Sequence, residues 1–502
     1  MMEIKLVKIK NISAIGWCAI FIGVFSLYLL TLAPDLVWQD QGDYQYQSAK
    51  LILNIPGDVV RIHPLYMLVS HYLGKTGLFS YAYAANLVSA LFTAITVANV
   101  YLLIFLLTES GLSAVLASLV FAFAHTVWFL GVQAQTYGMA NAALSASYIL
   151  AVYYIFTNKI RYLFGMGLIS GLGISIHMMS QIGFAVLMVW IFIRLLRRKI
   201  SFVQFLTIIA LWCVGAMLYW VVIVMEYCRS GDLIGTLSSA IWGRWANAVF
   251  NISNAIILLK RSVLYFILNF PTPLVFFTIP GLYCSFKKIE NKAVSWILLI
   301  SLIMYIIFAM RYNVPNQNNF FLPAYMLVSV YMGIGIAYAI KKLTKIKIVI
   351  LAAMLLLIPL SYLGISKYAS WKKINLGVSH RIPYRNVYEY YLLPWQQNQN
   401  GPKRLVTEVF EKLPPKAILM VDSTPFSVFI YAQQIEGMRP DIELVEGDNL
   451  TEQLMVKISA GQRLFNLYGI NDCPKWVKAD WLKPLAISNE ENIYEIIFPK
   501  NE

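Results

Sequence analysis

The stretch from Thr31 to Tyr46, TLAPDLVWQDQGDYQY, places three carboxylates directly after the first long apolar segment: Asp35, Asp40 and Asp43. Only 13% of the residues are charged, so acidic side chains beside an apolar segment need a reason to be there. A carboxylate in this place can act as a general base that takes a proton from an attacking hydroxyl. Partial removal from water would tune its pKa. The alternative is that these acids cap helices or lie in solvent.

Asp40 and Asp43 are three residues apart. If this segment is helical, both carboxylates lie on one face, so that one can act while the other orients it or binds the substrate. The spacing therefore predicts two carboxylates that act together in catalysis or substrate binding.

His177 falls at the predicted end of an apolar segment, and an ionisable group at membrane depth is a functional candidate. Its alternative role is a hydrogen bond to a neighbouring helix. His63 and three further histidines lack HxxxH or HExxH spacing, so we predict no metal site.

Arg61 and Arg311 lie in charge-poor surroundings, where a guanidinium could bind a phosphate through paired donors. For Arg311 the alternative is a side chain that extends from a helix end to the membrane surface.

The composition points to a membrane protein. The chain has 502 residues, of which 59% are hydrophobic, and a soluble protein of this length would be more polar. The formal net charge of +15 does not indicate nucleic-acid binding, because the basic residues form short clusters between apolar runs and no nucleic-acid motif is present.

Apolar runs of near-spanning length predict about eleven transmembrane helices. They cover residues 13–34, 81–107, 111–130, 138–157, 163–178, 180–196, 201–226, 263–285, 293–310, 320–340 and 348–366. Lys and Arg concentrate in loops 158–162, 194–199, 286–292 and 341–347, whereas loops 131–137 and 177–181 contain neither. This alternation predicts a cytoplasmic N-terminus and places the aspartates on the outer face. The first run is long for a signal peptide, so we expect a retained helix.

Two outer loops are too long for simple connections. In loop 35–80, apolar stretches such as Pro64–Leu73 predict short interfacial helices. Loop 227–262, with Trp242 and Trp245 among polar residues, also has the composition of an interfacial segment.

Residues 367–502 are richer in charge and have shorter apolar runs. They predict a small soluble α/β domain, separate from a membrane domain over residues 1–366. The expected strands are Ala417–Val421, Ile442–Val445, Arg463–Leu467 and Tyr494–Phe498, with a helix capped by Thr424 and continued by Pro425. No GxGxxG or P-loop motif supports a nucleotide site.

Several stretches, in the same order along the chain, resemble the protein O-mannosyltransferase-like family of GT-C membrane glycosyltransferases. TLAPDLVWQDQGDYQ resembles the family's TLAP…WDSGE signature, with Asp40 on the aspartate and Asp43 on the glutamate. Further matching stretches are HPLYMLVSHYLG, FAHTVWFLGVQAQTYGMANAAL, GISIHMMS, NNFFLPAYMLVSVYMGIG and AILMVDSTPFSVFIYAQQIEGMRPDIELV. The chain departs from the pattern at Gln135, where the family has glutamate, and at His63, which takes the place of a tyrosine.

The resemblance implies a GT-C fold and an inverting transfer of a sugar, mannose among the options, from a polyprenyl-phosphate donor to a hydroxyl acceptor. Asp40 would be the base and Asp43 its partner. Gln135, Tyr137 and His177 would line the pocket, and Arg311 would be a phosphate ligand. No cofactor beyond this lipid-linked sugar is implied. The partners would be membrane lipid and an acceptor protein or glycan, at the cytoplasmic (inner) membrane.

Three alternatives stay open. The acceptor could be an envelope glycan or a lipid instead of protein Ser/Thr. A transporter or flippase for a lipid-linked substrate would be expected to contain internal repeats and broken helices, and no repeat is visible. The Gln135 departure also fits an inactive binding homologue.

Overall fold

The structure is a computed structural model that describes residues 2–243, 255–377, 382–447, 452–468, 475–488 and 491–498. Its helices are α1 (Met2–Leu30), α2 (Gln39–Lys50), α3 (Pro64–Lys75), α4 (Tyr81–Thr108), α5 (Gly111–Phe123), α6 (His125–Gly131), α7 (Tyr137–Thr157), α8 (Arg161–Ile176), α9 (Ser180–Leu196), α10 (Phe202–Gly215), α11 (Met217–Ser230) and α12 (Leu233–Ile241). The remaining helices are α13 (Ala255–Asn269), α14 (Thr278–Lys288), α15 (Lys292–Arg311), α16 (Leu322–Ile340), α17 (Lys345–Ala353), α18 (Leu357–Trp371), α19 (Val387–Leu392), α20 (Gly401–Lys412), α21 (Ser423–Gln434) and α22 (Glu452–Ser459).

The chain is a multi-pass helical membrane protein. Within the described residues, six spans are long and apolar enough to cross a membrane, and three bent helix pairs raise the number to nine. The shorter apolar helices α8 and α9 coincide with two further predicted segments. Each of the predicted runs therefore corresponds to helical structure, but the runs 111–130, 201–226 and 263–285 are not straight spans. Their helices meet at 69°, 63° and 112°, and in the last of these the chain turns at Thr272 and Pro273.

The centre of the bundle is the helix α16, whose span is 94% buried inside the protein. Close approach at glycine makes this possible. A Cβ atom on Gly281 of α14 would lie 1.8 Å from the Tyr331 carbonyl oxygen of α16. Small residues let membrane helices pack backbone to backbone, and this contact lets α14 and α16 do so.

The loop 35–80 folds into short helices, as predicted. α2 is followed by a 3-10 turn at Val59–Arg61 and by α3, which Pro64 opens at its first position. None of these helices is long enough to cross a membrane. They pack on one end of the bundle, which we call the Asp40 end.

The interfacial prediction for loop 227–262 is supported by α12, an amphipathic helix that contacts the 3-10 turn Val59–Arg61. Its apolar side chains are largely exposed, with Ile234 at 81%. Trp242 follows its last residue, whereas Trp245 lies outside the described residues.

The tail forms a five-stranded sheet with the order β2-β1-β3-β5-β4. The strands are β1 (Ile418–Val421), β2 (Glu443–Glu446), β3 (Leu464–Asn466), β4 (Leu482–Ala486) and β5 (Asn492–Ile496). β1 pairs in parallel with β2 and β3, and β5 pairs antiparallel with β3 and β4. The four predicted strands are confirmed within a few residues, and β4 was not predicted.

The predicted cap of the tail helix was wrong. Asp422, not Thr424, is the N-cap of α21, because its carboxylate accepts the Thr424 backbone N–H at 3.0 Å. The helix therefore starts at Ser423, and Pro425 lies within its first turn, where no backbone N–H is needed.

Candidate active site

Asp40 lies in the first turn of α2, where the helix dipole favours a carboxylate. The chain reaches this position through Gln39, which has a left-handed backbone with φ of 61°. Gln45 closes the loop onto the helix, since its amide accepts from the Val37 N–H at 3.1 Å and donates to the Asp35 carbonyl at 3.1 Å. The loop that bears the aspartates is thereby fixed to the helix that follows it.

The two carboxylates lie on one face of α2, as predicted, but their surroundings differ. Asp43 accepts hydrogen bonds from Arg61 at 3.1 Å and from Gln47 at 2.7 Å. Asp40 is exposed, and among the described residues its one hydrogen-bonding contact is the Asn316 amide at 3.5 Å. Asp43 is therefore held in place, while Asp40 is open to a ligand.

Burial raises the pKa of Asp43 above its ordinary value, and the charge of Asp40 raises it further, whereas Arg61 lowers it. The balance leaves the carboxyl easier to protonate than a solvated aspartate despite its ion pair. Arg61 is shared, since its guanidinium also lies 3.8 Å from Asp58. It contacts two carboxylates here, and its role as a phosphate ligand stays a prediction.

A row of rings adjoins Asp40. The Tyr44 hydroxyl and His63 Nε2 are 3.3 Å apart, and the His63 ring stacks on His177 with centroids 4.9 Å apart. His177 in turn packs against Tyr137 at 4.9 Å. Asp40 lies within electrostatic reach of both Tyr44 and Tyr137. The structure thus brings together residues from α2, α3, α7 and the connection between α8 and α9.

The surroundings of both histidines favour the neutral ring over the cation. Burial lowers the pKa of His177 to about 4, and burial with the nearby His177 lowers the pKa of His63. The Met179 backbone N–H donates to His177 Nδ1 at 3.1 Å. In the neutral ring the proton is then on Nε2, so His177 can donate one hydrogen bond to a ligand.

Gln135 is buried in the turn before α7. Its backbone N–H donates to the Ser89 hydroxyl at 2.7 Å, and that hydroxyl is 3.0 Å from the Gln135 carbonyl. Its side-chain Oε1 is buried without a hydrogen-bond partner in the described chain. These backbone bonds fix the turn and with it Tyr137, the first residue of α7.

A cavity of about 1140 Å³ begins at these rings and runs between α9 and α15. His177, Tyr312 and Phe320 line it at the Asp40 end, and Arg194, Arg197 and Lys292 line it at the other. Between them its walls are apolar, formed by residues such as Val186, Ile300 and Met304. α9 alone has 17 residues, a length of about 25 Å, so the cavity extends across most of a bilayer.

Arg311 is half-buried at the last position of α15, next to the cavity-lining Tyr312. It does not itself line the cavity. Within the described residues, no group of three or more His, Cys, Asp or Glu side chains is arranged to hold a metal ion.

Sequence reasoning missed several residues that the fold adds to the site. Tyr44 is four residues after Asp40, so its helical spacing could have identified it. Asn316, Tyr312 and Phe320 come from a connection far along the chain, and no local pattern links them to Asp40.

The sequence is similar to known proteins. Residues 40–201 match the family model described as the Protein O-mannosyl-transferase TMEM260 N-terminal domain. The chain is also 22% identical over 469 residues to the mouse Protein O-mannosyl-transferase TMEM260, covering 87% of this chain and 63% of the mouse protein. The chain is similar to the TMEM260 proteins. The region that matches the family model starts at Asp40 and includes every predicted site residue except Arg311.

Solved structures show that the fold is GT-C. ArnT from Cupriavidus metallidurans bound to undecaprenyl phosphate superposes with a TM-score of 0.60 at 13% identity, covering 97% of this chain and 99% of ArnT. The apo ArnT structure gives a TM-score of 0.59 at 12% identity, with coverage of 97% and 100%. The tail sheet is included in this similarity because almost the whole of each chain is aligned.

Proposed function

We propose that this protein is an inverting glycosyltransferase that moves a sugar from a polyprenyl-phosphate donor to a hydroxyl acceptor. One observation carries the proposal: Asp40, which no described cation contacts, lies beside the end of a long apolar cavity. The cavity has the length and apolar lining that a polyprenyl tail requires. The match to the TMEM260 family model and the GT-C fold support the same reading.

In the proposed reaction, Asp40 accepts the proton of the acceptor hydroxyl as its oxygen attacks the anomeric carbon. The bond from that carbon to the phosphate oxygen breaks, and polyprenyl phosphate leaves with the bonding electron pair. Attack from the face opposite the leaving group inverts the configuration. Asn316 is placed to orient Asp40, and a general base of this kind contributes about a hundredfold or more to the rate.

The other predicted residues receive supporting roles. Asp43, held by Arg61 and Gln47, would bind the acceptor or orient it toward Asp40. Tyr137 and the Nε2–H of His177 would contact the donor sugar where it leaves the cavity.

Three residues act at the edge of this pocket. His63 would keep the His177 ring in place through their stacking contact. Gln135 would fix Tyr137 and the floor of the pocket. Arg311, beside Tyr312, remains a candidate phosphate ligand.

The mouse relative's name points to mannose and to a protein acceptor. This chain spans only 63% of that relative's length. Protein Ser/Thr O-mannosylation is therefore a proposal, and it is the first reaction to test. An envelope glycan or lipid acceptor is the alternative, and mass spectrometry of proteins and envelope glycans from a deletion strain separates the two.

We propose that the Asp40 end lies outside the cytoplasmic membrane. The clusters of Lys and Arg in loops 158–162, 194–199, 286–292 and 341–347 support a cytoplasmic location for the opposite end. The division into a membrane domain, 1–366, and an outer tail domain, 367–502, belongs to the same proposal. Labelling single cysteines near residue 400 tests it, because reagent added outside should reach them without breaching the membrane.

The central experiment uses purified full-length protein, labelled polyprenyl-phosphate mannose and an extract of extracytoplasmic proteins. Wild type should transfer label, and Asp40→Asn should lose transfer by about a hundredfold or more. Asp35→Asn is the matched control, because that carboxylate belongs to the same loop and the proposed mechanism does not use it. Equal transfer by wild type and Asp40→Asn would refute the role of Asp40.

One feature also fits a flippase for a lipid-linked substrate, because the cavity extends from the Asp40 end to Arg194 and Lys292 at the opposite end. This function predicts movement of the lipid between leaflets of reconstituted vesicles, and Asp40→Asn should leave that movement unchanged. Transfer of labelled sugar that depends on Asp40 distinguishes the enzyme.

A further inference from the structure

Arg385 is a buried cation with no anionic partner among the described residues. Its side chain lies in the connection between α18 and the tail sheet, and the residue is 7% exposed. Nε and Nη1 are buried and have no hydrogen-bond partner within the described ranges. The guanidinium lies over the rings of Tyr390 and Tyr391, at 5.4 and 5.3 Å from their centroids.

A charge in this situation is costly. Buried arginines are normally paired, because the cost of removing an ion from water is recovered only by an opposite charge and hydrogen bonds. The tyrosine faces offset part of this cost. An anion bound at Arg385 would offset the rest.

The backbone holds this arginine in position. The preceding residue, Tyr384, has φ of 61°, a left-handed conformation that costs energy in a bulky residue. Its hydroxyl donates a short hydrogen bond to Glu408, and Arg404 stacks on its ring at 4.2 Å. The tail domain thus fixes the turn that directs Arg385 inward.

The same region adjoins the proposed catalytic base. The Gln39 amide, next to Asp40 in sequence, donates to the Tyr391 hydroxyl at 3.3 Å. Burial chiefly raises the pKa of Tyr390, and the charge of Asp40 adds to the rise, so this ring lies within electrostatic reach of Asp40. Within the described residues, no ion pair joins Arg385 to Asp40.

Two further buried groups in the core that contains Tyr390 can donate hydrogen bonds. The Trp38 indole N–H and the Tyr390 hydroxyl are buried without partners in the described part of the chain, and both side chains belong to the core between α2 and the tail. The guanidinium and the adjacent Tyr390 side chain match a phosphate, which offers several acceptor oxygens and takes the paired donors of arginine.

We propose that Arg385 binds the phosphate of the polyprenyl-linked donor, with Tyr390 and Trp38 as further donors. This inference rests on the proposed function, and it adds a phosphate ligand from the tail domain to those expected in the membrane domain. An acidic group on the acceptor would use the same chemistry, but every donor molecule carries the phosphate, whereas the reacting group of the acceptor is a neutral hydroxyl.

The test measures binding of undecaprenyl phosphate, and of undecaprenol as the phosphate-free probe, to the full-length protein in nanodiscs. Arg385→Gln should weaken binding of the phosphate form by about tenfold or more, as expected for loss of charge-assisted hydrogen bonds. The affinity of Arg385→Lys for undecaprenyl phosphate should lie between those of wild type and Arg385→Gln, because an ammonium keeps the charge and loses the paired geometry. Arg463→Gln, which removes an exposed tail arginine, is the control and should bind as wild type does.

The remaining measurements distinguish the phosphate of the lipid from other anions that could bind at Arg385. Undecaprenol should bind equally to wild type and Arg385→Gln. Equal affinity of these two proteins for undecaprenyl phosphate overturns the inference. Binding that depends on Arg385 only for inorganic phosphate also overturns it. A KM that is raised in Arg385→Gln only for acidic acceptor peptides overturns it as well.

Two controls keep the result interpretable. The thermal unfolding midpoint of lipid-free Arg385→Gln should not fall below that of wild type, because the variant removes an uncompensated charge. If Arg385→Gln does not fold, the affinity of Arg385→Lys for undecaprenyl phosphate tests the inference instead. Asp40→Asn should keep its affinity for undecaprenyl phosphate. Arg385-dependent binding without any sugar transfer would refute the proposed function alone, and Asp40-dependent transfer with unchanged binding in Arg385→Gln would refute this inference alone.

Discussion

Gly42 of α2 and Ser427 of α21 touch so closely that a Cβ atom on Gly42 would lie 2.6 Å from the Ser427 hydroxyl oxygen. This contact joins the helix of Asp40 directly to the tail domain. Two hydrogen bonds flank it, from Tyr46 to Gln434 at 2.9 Å and from the Ala82 N–H to the Tyr431 hydroxyl at 3.0 Å. The tail domain is therefore part of the structure that positions the candidate site.

Gly42→Leu should separate α2 from α21 and lower sugar transfer. The added side chain would meet the Val37 carbonyl as well as Ser427, and overpacking of this kind costs about 1–3 kcal/mol. Faster proteolytic release of the tail, together with reduced transfer, is the expected measurement. Gly23→Leu is the control, because nothing lies within 4 Å of a Cβ at that position. Full activity with a proteolytically loosened tail would show that this contact does not position the site.

Arg61→Gln should move the acid limb of the pH–rate profile to higher pH. Arg61 lowers the pKa of Asp43, so its removal raises that pKa further above the ordinary value of 3.8 and reduces the ionised fraction at a given pH. At high pH the variant should approach wild type. The shift should disappear when Arg61→Gln is combined with Asp43→Asn, and a shift that persists in the double variant would assign the limb to another group.

The same carboxyl affects folding stability in a defined direction. Because the folded-state pKa of Asp43 lies above its unfolded value, the native state binds more protons, and this group lowers stability as pH rises through the window above 3.8. Asp43→Asn should remove that dependence. Denaturant unfolding of wild type and variant from pH 4 to pH 7 measures it, and an unchanged slope in the variant would contradict the assignment.

His177→Phe should reduce sugar transfer more than His63→Phe. Both replacements keep an aromatic ring in the stack, but only the first removes the Nε2–H that we place on the donor sugar. Since the pKa of His177 is lowered to about 4, wild type should show no kinetic limb near pH 6.5 from this ring. KM for the donor and the pH profile are the measurements. Equal effects of the two variants would leave His177 with a packing role only.

Ile300→Trp should block the cavity and raise KM for a long-chain donor. A short-chain donor that does not reach this depth should be less affected. Ile303→Trp is the matched control on the same helix, because Ile303 is exposed on α15 outside the cavity lining. If the two variants behave alike with both donors, the polyprenyl tail lies elsewhere.

Much of the fold follows from local sequence. Apolar runs of spanning length and the alternation of Lys and Arg are set by the bilayer, which demands about twenty apolar residues in each helix that crosses it. Four of the five tail strands could be predicted, because short apolar runs between turn residues suffice to identify them. β4 was missed, because its sequence LKPLA contains Lys483 and Pro484 and no such run. The 112° break within residues 263–285 could not be predicted, because composition does not determine the angle between consecutive helices.

The site divides in the same way. The sequence by itself determined the carboxylate pair, since the i, i+3 spacing of Asp40 and Asp43 becomes one face of a helix wherever that helix packs. Only the tertiary structure decided which carboxylate is open: Arg61 binds Asp43, and Asn316 reaches Asp40 from 276 residues away. The candidate role of Arg385 also depends on the tertiary structure. Burial and the absence of a partner among its described neighbours are properties of packing between distant segments, and no local pattern of residues encodes them.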